Sequence, residues 1–139
     1  GEDSPTTAVV LGDYKVDVDV RKSTRRSDTR NNKTTGILLP VVYITNQTGS
    51  VMELKLTASV FKAAASDGTE LKFDSALQPL TLVQKVPASV TPSFSTTDEG
   101  VFQKLSSGEL SLKLSITLSG QTAVYTMNFG DLTQTVEKI

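Results

Sequence analysis

One stretch of the chain, LSLKLSITL at residues 110 to 118, alternates apolar and polar side chains at every position. Successive side chains of a β-strand point to opposite faces, so this period of two predicts an extended segment with one buried and one solvated face. The same alternation predicts strands at 14–21 and 51–60. A more buried strand is expected at 38–45, and a fifth at 122–129 with its aromatic residues toward the core.

Turn residues separate these runs at the spacing of short strands. Ser-Gly and Asp-Gly pairs tolerate positive φ or bond back to their own backbone, and no segment keeps a period near 3.6 residues. Residues 61–68 allow at most one short helical turn. The sequence therefore predicts an all-β fold, an antiparallel, immunoglobulin-like β-sandwich of about seven or eight strands. Residues 1–8 are expected to form a disordered N-terminal tether and residues 9–139 a single β-sandwich domain.

The composition lacks the residues that carry much of enzyme chemistry. There is no cysteine and no histidine, and these two residues supply most nucleophile-base pairs, zinc ligands, and haem or iron-sulfur ligands. We therefore expect a protein that is not an enzyme and that holds no cofactor or metal. The chain carries a net charge of -1. It has no apolar run of the ~18 residues that would cross a bilayer, so a soluble chain is expected.

Residues 21–35, RKSTRRSDTRNNKTT, gather six of the fourteen basic side chains into fifteen positions. With Asp28 as the single acid their local charge is +5, so the rest of the chain carries -6. We interpret the stretch as a long solvated loop; an acidic polymer, an anionic surface or an acidic protein partner are the alternatives. No nucleic acid is expected, because no aromatic residue for base stacking lies between Tyr14 and Tyr43. The candidate residues for an anionic partner are Arg21, Lys22, Arg25, Arg26, Arg30 and Lys33.

Two pairs of acidic residues are weaker candidate sites. Asp17 and Asp19 are two positions apart, so they project from one face of a strand and would contribute to a calcium site, which needs six or more oxygen ligands. Basic residues flank them, and a solvated face of alternating charge is the simpler interpretation. Asp98 and Glu99 would supply carboxylates for general acid and base catalysis, but adjacent acids in a loop are also ordinary surface chemistry.

Asn32 and Asn46 each begin a triplet, NKT and NQT, that matches the acceptor pattern for N-glycosylation. The pattern has meaning only in a eukaryotic secretory pathway. The triplets alone leave open whether either match is more than coincidence.

The segment from about residue 38 to residue 73 resembles a known protein family. LPVVYITNQTGSVMEL followed by VFKAAASDGTELKF resembles the immunoglobulin-like domains of bacterial cell-envelope proteins and lipoproteins. In that group a strand ends at an Asn-containing N-x-T/S-G turn and a later strand leads into DG-(T/K)-E. The resemblance implies an exported β-sandwich that acts as an accessory or adhesion module, with no catalytic residues to carry over. The chain begins at Gly1 with polar residues, and we expect that a leader has been removed. A lipid anchor upstream of this chain is left open, because the chain contains no cysteine to carry it.

Two functions are therefore considered. We favour a non-enzymatic, extracytoplasmic binding, adhesion or accessory module of a cell envelope, in the periplasm, on the cell surface or secreted. It would present its loops or a sheet edge to a protein or a glycan. The alternative is a carboxylate-dependent hydrolase or a small-ligand carrier on a β-sandwich or barrel, which needs acids drawn together from distant strands. The discriminating observation is whether five acids line one concavity: Asp17, Asp19, Glu53, Asp98 and Glu99.

Overall fold

The computed structural model describes residues 7–139. These residues form twelve β-strands and one α-helix, so the predicted all-β class is confirmed. The first six residues of the predicted tether lie outside the described residues, and Thr7 is buried. The helix α1 spans Glu99–Ser107. The strands are β1 Val9–Leu11, β2 Tyr14–Arg30, β3 Lys33–Asn46, β4 Met52–Leu54, β5 Phe61–Ala65, β6 Glu70–Phe73, β7 Leu80–Leu82, β8 Ala88–Val90, β9 Phe94–Thr96, β10 Leu112–Leu118, β11 Gln121–Asn128 and β12 Thr133–Lys138.

Ten of the strands form one antiparallel sheet in the order β1-β2-β3-β9-β6-β5-β10-β11-β12, with β8 also paired to β3. β4 and β7 form a separate pair. The alternation that begins at residue 110 is confirmed, since β10 buries Leu112, Leu114, Ile116 and Leu118 against the core. The immunoglobulin-like sandwich of seven or eight strands is not confirmed, because the large sheet curls into a nearly closed, barrel-like form.

The two ends of this sheet meet through side chains. Gln134 on β12 donates from Nε2 to the Val18 carbonyl at 2.7 Å and accepts the Val20 amide at Oε1 at 2.8 Å. The same Nε2 donates to the Thr7 hydroxyl at 2.7 Å. A side-chain amide satisfies a strand edge in the way that a neighbouring backbone would. β2 is therefore held at Val18 and Val20, and its strand continues past these bonds to Arg30.

Tyr125 on β11 is completely buried at the same closure. Its hydroxyl donates to the carbonyl oxygens of Thr7 at 2.6 Å and Val16 at 3.2 Å. Burial raises the pKa of Tyr125 above its ordinary value of 10.0, and the negative charge of Asp17 raises it further. The folded protein therefore holds the phenol in its neutral form.

This raised pKa of Tyr125 predicts a loss of stability in alkali. Its contribution is fully present below the unfolded-state pKa and is lost as the pH rises toward the folded-state value. We expect the stability of the protein to fall relative to that of Tyr125→Phe as the pH passes about 10. Urea unfolding of both proteins at neutral and alkaline pH measures the difference; a difference that stays constant with pH would contradict the expectation.

The structure corrects two predicted elements. The alternation at 51–60 becomes strand only in β4, because the hydroxyls of Thr57 and Ser59 bond each other at 2.7 Å and the Val60 amide returns to the Thr57 carbonyl at 2.9 Å. Such local bonds compete with a sheet ladder. The short helical turn allowed at 61–68 is not formed; β5 pairs there with β6 and β10.

The helix α1 has no counterpart among the sequence predictions. Asp98 begins it by accepting the Val101 amide at Oδ1 at 3.1 Å, and Gly108 ends it with a φ of 89°. Its buried side chains are Val101, Phe102 and Leu105, which join the core. Nine residues with three buried positions make too short a pattern to stand out as a helical period. Asp98 thus serves as a helix cap in this structure.

Candidate functional site

Residues 21–35 form most of a β-hairpin, so the predicted long loop is wrong. β2 continues to Arg30 and β3 begins at Lys33, which leaves Asn31 and Asn32 as the turn. Their φ values of 52° and 61° belong to a type I′ turn, which asparagine tolerates and which matches the twist of paired strands. The β3 arm is held on its other side by β9. We call residues 21–35 the basic hairpin.

The six candidate cations of the basic hairpin are all exposed, and they lie on both of its faces. Alternation places Arg26 and Arg30 on one face, where Lys33 pairs with Arg30 across the strands, and Arg25 on the other. Within residues 7–139 one ion pair is formed, from Arg30 Nε to Asp28 Oδ2 at 3.4 Å. The two side chains are 83% and 44% exposed, so this pair is weak. The other five cations form no ion pair with a described residue.

A bulge joins the basic hairpin to the body of the sheet. Between Asp19 and Thr24, four residues of β2 lie opposite the single Pro40 of β3. Proline has no amide hydrogen to give to a ladder, so a regular pairing cannot continue there. The hydroxyl of Ser23 links the two strands in place of the regular pairing: it donates to the Asp19 carbonyl at 2.7 Å and accepts the Val41 amide at 2.9 Å. The first two cations of the basic hairpin project from this bulge.

An open groove of about 520 Å³ lies on the outer face of β2 and β3, next to the bulge. Lys15, Lys22, Asp17 and Tyr43 line it, and the Lys22 ammonium lies 6.0 Å from the centre of the Tyr43 ring. This is the outer limit of a cation-π contact. Asp17 already accepts hydrogen bonds from the Thr7 hydroxyl and from a backbone amide. The groove therefore extends the positive surface of the basic hairpin along the sheet.

The outer edge of the basic hairpin has no backbone partner within residues 7–139. β1 pairs with the first three residues of β2 only. A two-residue turn makes Arg30 and Lys33 a hydrogen-bonded pair, and such pairs alternate along an antiparallel ladder. Arg25, Ser27 and Thr29 consequently direct their amides and carbonyls away from β3. Three donors and three acceptors thus lie along a free strand edge, which we call the β2 edge.

The five acidic candidates are divided among three elements: β2, β4 and α1. Asp17 lines the groove, and the other four acids are not part of its lining. Asp19 accepts a nearby backbone amide at 3.0 Å, Glu53 lies on β4, and Asp98 and Glu99 begin α1. Over the described part of the chain, no group of three or more carboxylates is placed to hold a metal ion.

The two asparagines of the glycosylation triplets have different environments. Asn32 is exposed in the hairpin turn, whereas Asn46 is completely buried at the end of β3. The Asn46 amide donates to the carbonyls of Ser50 and Leu82, and its oxygen accepts from both the amide and the hydroxyl of Thr48. All of its side-chain polar atoms are engaged, so the folded protein does not offer Asn46 for modification.

Sequence reasoning found the six cations but missed the β2 edge. The signal for it was the Asn31-Asn32 pair between threonine-rich flanks. Within residues 7–139 no helix combines the length and the apolar character that a membrane crossing requires. The chain matches no protein-family model, and comparisons with curated proteins and with solved structures found no similar chain.

Proposed function

We propose that this domain is a non-catalytic, extracytoplasmic binding module that uses the basic hairpin to bind an acidic protein. The single observation that carries the proposal is the placement of six exposed cations on one hairpin, where Arg30 alone among them forms an ion pair with a described residue. The extracytoplasmic setting is supported by the sequence resemblance of residues 38–73 to cell-envelope domains. The finer, immunoglobulin-like assignment, which rests on the spacing of the alternating strands and on the same resemblance, stays a prediction.

The basic hairpin attracts acidic surfaces because the charge of the chain is unevenly distributed. It carries +5 in a chain of net charge -1, so the remainder carries -6. Each exposed ion pair with a partner contributes only about 0.2–1 kcal/mol. Several cations on one small element act together, however, and they accelerate encounter with an acidic surface in a way that weakens with salt.

The free backbone of the β2 edge supports a protein rather than a glycan as the partner. Six of the eight aromatic side chains are buried, and Tyr43 and Phe73 are the two that are partly exposed. Flat carbohydrate and base contacts commonly rely on exposed aromatic faces, whereas a strand edge offers donors and acceptors that match another peptide backbone. The hydrolase alternative has less support, because Asp17 is the one acid of the five that lines the groove.

Replacing Arg25, Arg26 and Arg30 together by serine tests the proposal. With poly-L-glutamate as the probe, we expect binding to weaken about tenfold at low ionic strength, because three exposed charges are lost. We also expect the melting temperature to stay nearly unchanged, since exposed charges contribute little to stability. Titration calorimetry and thermal unfolding give the two readouts.

The matched control replaces Lys62, Lys113 and Lys138, which are exposed on β5, β10 and β12, by serine. This variant loses the same charge from another part of the surface, and we expect it to bind poly-L-glutamate like the original protein. Equal weakening in both variants would show that only net charge matters and would overturn the proposed site. Binding to a sulfated glycan but not to poly-L-glutamate would overturn the choice of partner.

A further inference from the structure

The β2 edge is unusual because nothing in the described chain covers it or interrupts it. The segment from Thr24 to Arg30 pairs regularly with β3 on one side, and it contains no proline. Its outward amides and carbonyls belong to Arg25, Ser27 and Thr29, and all three residues are exposed. Proteins usually block such an edge with a bulge, a proline or a covering element, because it can pair with another chain. At the β2 edge, the positive charge of the basic hairpin is the remaining protection against pairing with another chain.

The charge of the basic hairpin decides which chain the β2 edge can accept. Two copies joined edge to edge would place Arg25, Arg26 and Arg30 near the same cations of the second copy, and like charges on opposed strands repel. An acidic strand would instead place carboxylates opposite these arginines, at the short distances between directly opposed residues. The edge therefore disfavours self-association and favours an acidic segment.

We propose that the β2 edge binds an extended acidic segment of a partner protein as an added β-strand of the sheet. The inference rests on the proposed function and specifies how its partner is held. Backbone bonds to Arg25, Ser27 and Thr29 give the pairing, and the arginines on the two faces select acidic side chains in the added strand. The groove beside Lys22 lies on the neighbouring surface and is not required for the pairing.

Ser27 allows a test that separates backbone pairing from charge. Its amide points away from β3, so Ser27→Pro removes an outward donor and places the ring on the β2 edge while the β2–β3 ladder and every cation are kept. Arg26 before it is already extended, as a residue before proline prefers. Ser27→Ala removes only the hydroxyl and serves as the control. Thermal unfolding of both variants verifies that the fold is retained.

The probe is a synthetic peptide of alternating glutamate and valine. We expect Ser27→Pro to bind it at least about tenfold more weakly than the original protein, and Ser27→Ala to bind it equally well. In the original protein, we expect hydrogen exchange of the amides of Arg25, Ser27 and Thr29 to slow when the peptide is added. Asp28, whose amide already faces β3, should change little.

The outcomes distinguish this inference from the proposed function. If Ser27→Pro binds the peptide as well as Ser27→Ala does and the three amides exchange at their original rates, strand addition is overturned. If the arginine variant also binds poly-L-glutamate as tightly as the original protein, the basic hairpin is not the site and the proposed function fails as well. If Ser27→Pro weakens binding of the peptide while Ser27→Ala does not, the three amides become protected, and the arginine variant binds poly-L-glutamate more weakly, both hold.

Discussion

Replacing Asn46 by alanine is expected to lower the free energy of unfolding by about 3 kcal/mol. The side chain is 0% exposed and its amide makes four hydrogen bonds. Alanine leaves the carbonyl of the buried Leu82 without its donor and the Thr48 amide without its acceptor, whereas the Ser50 carbonyl keeps the Thr48 hydroxyl as a donor at 3.1 Å. Buried groups that lose a partner without gaining water carry the full cost of desolvation. The substitution also loosens the contact between the end of β3 and β7, which Asn46 joins.

The neighbouring Gln47 supplies the control for this variant. It belongs to the same NQT triplet and its side chain is exposed, so Gln47→Ala should change the free energy of unfolding by less than about 0.5 kcal/mol. Urea unfolding at neutral pH measures both variants. Equal midpoints for Asn46→Ala and Gln47→Ala would show that the buried amide bonds contribute nothing net to stability.

The second large effect is expected from Gly36→Ala, at about 2 kcal/mol of lost stability. Gly36 lies in β3 opposite Ser27, and the Phe102 ring of α1 occupies the space where a side chain would stand. An added Cβ would lie 2.3 Å from Cγ and Cδ1 of Phe102 and 2.8 Å from its Cβ. These atoms are near the helix backbone, so the ring cannot swing aside and α1 must shift. Through this contact the body of the protein supports the basic hairpin.

Two further variants identify the Phe102 contact as the cause. Gly49→Ala is the matched control, because its added Cβ meets nothing nearer than 3.8 Å, and we expect little change in the urea midpoint. In a Phe102→Ala background, most of the penalty of Gly36→Ala should disappear, since the obstructing ring is gone. A penalty that is the same in both backgrounds would instead place the strain in the β3 backbone.

The strands and their inward faces were predictable because burial follows a local period. The leucines of β10, and Tyr125 and Met127 of β11, point to the core as the alternation indicates. The prediction failed where local hydrogen bonds competed with extension, as at Thr57 and Ser59. It also failed for α1, whose three buried positions are too few to define a helical period.

The candidate site shows the same limit. The sequence located its six cations, but it assigned them to a loop, because like charges and polar residues resemble a solvated connection. Whether they form a hairpin depends on the left-handed backbone of Asn31 and Asn32 and on support of the β3 arm by β9 and by Phe102. Those supporting residues lie sixty or so positions away in the chain, and no local pattern reports them.

By itself, the sequence determined that this protein is built of strands, which side chains of its regularly alternating strands enter the core, and that no thiolate or imidazole chemistry is present. Only the tertiary structure decided that the sheet closes through Gln134 and Tyr125, that Asn46 is buried, and that the basic residues stand along a free edge. The physical reason is range: alternation acts between neighbouring residues, whereas closure, burial and edge exposure depend on contacts between segments that are distant in the chain.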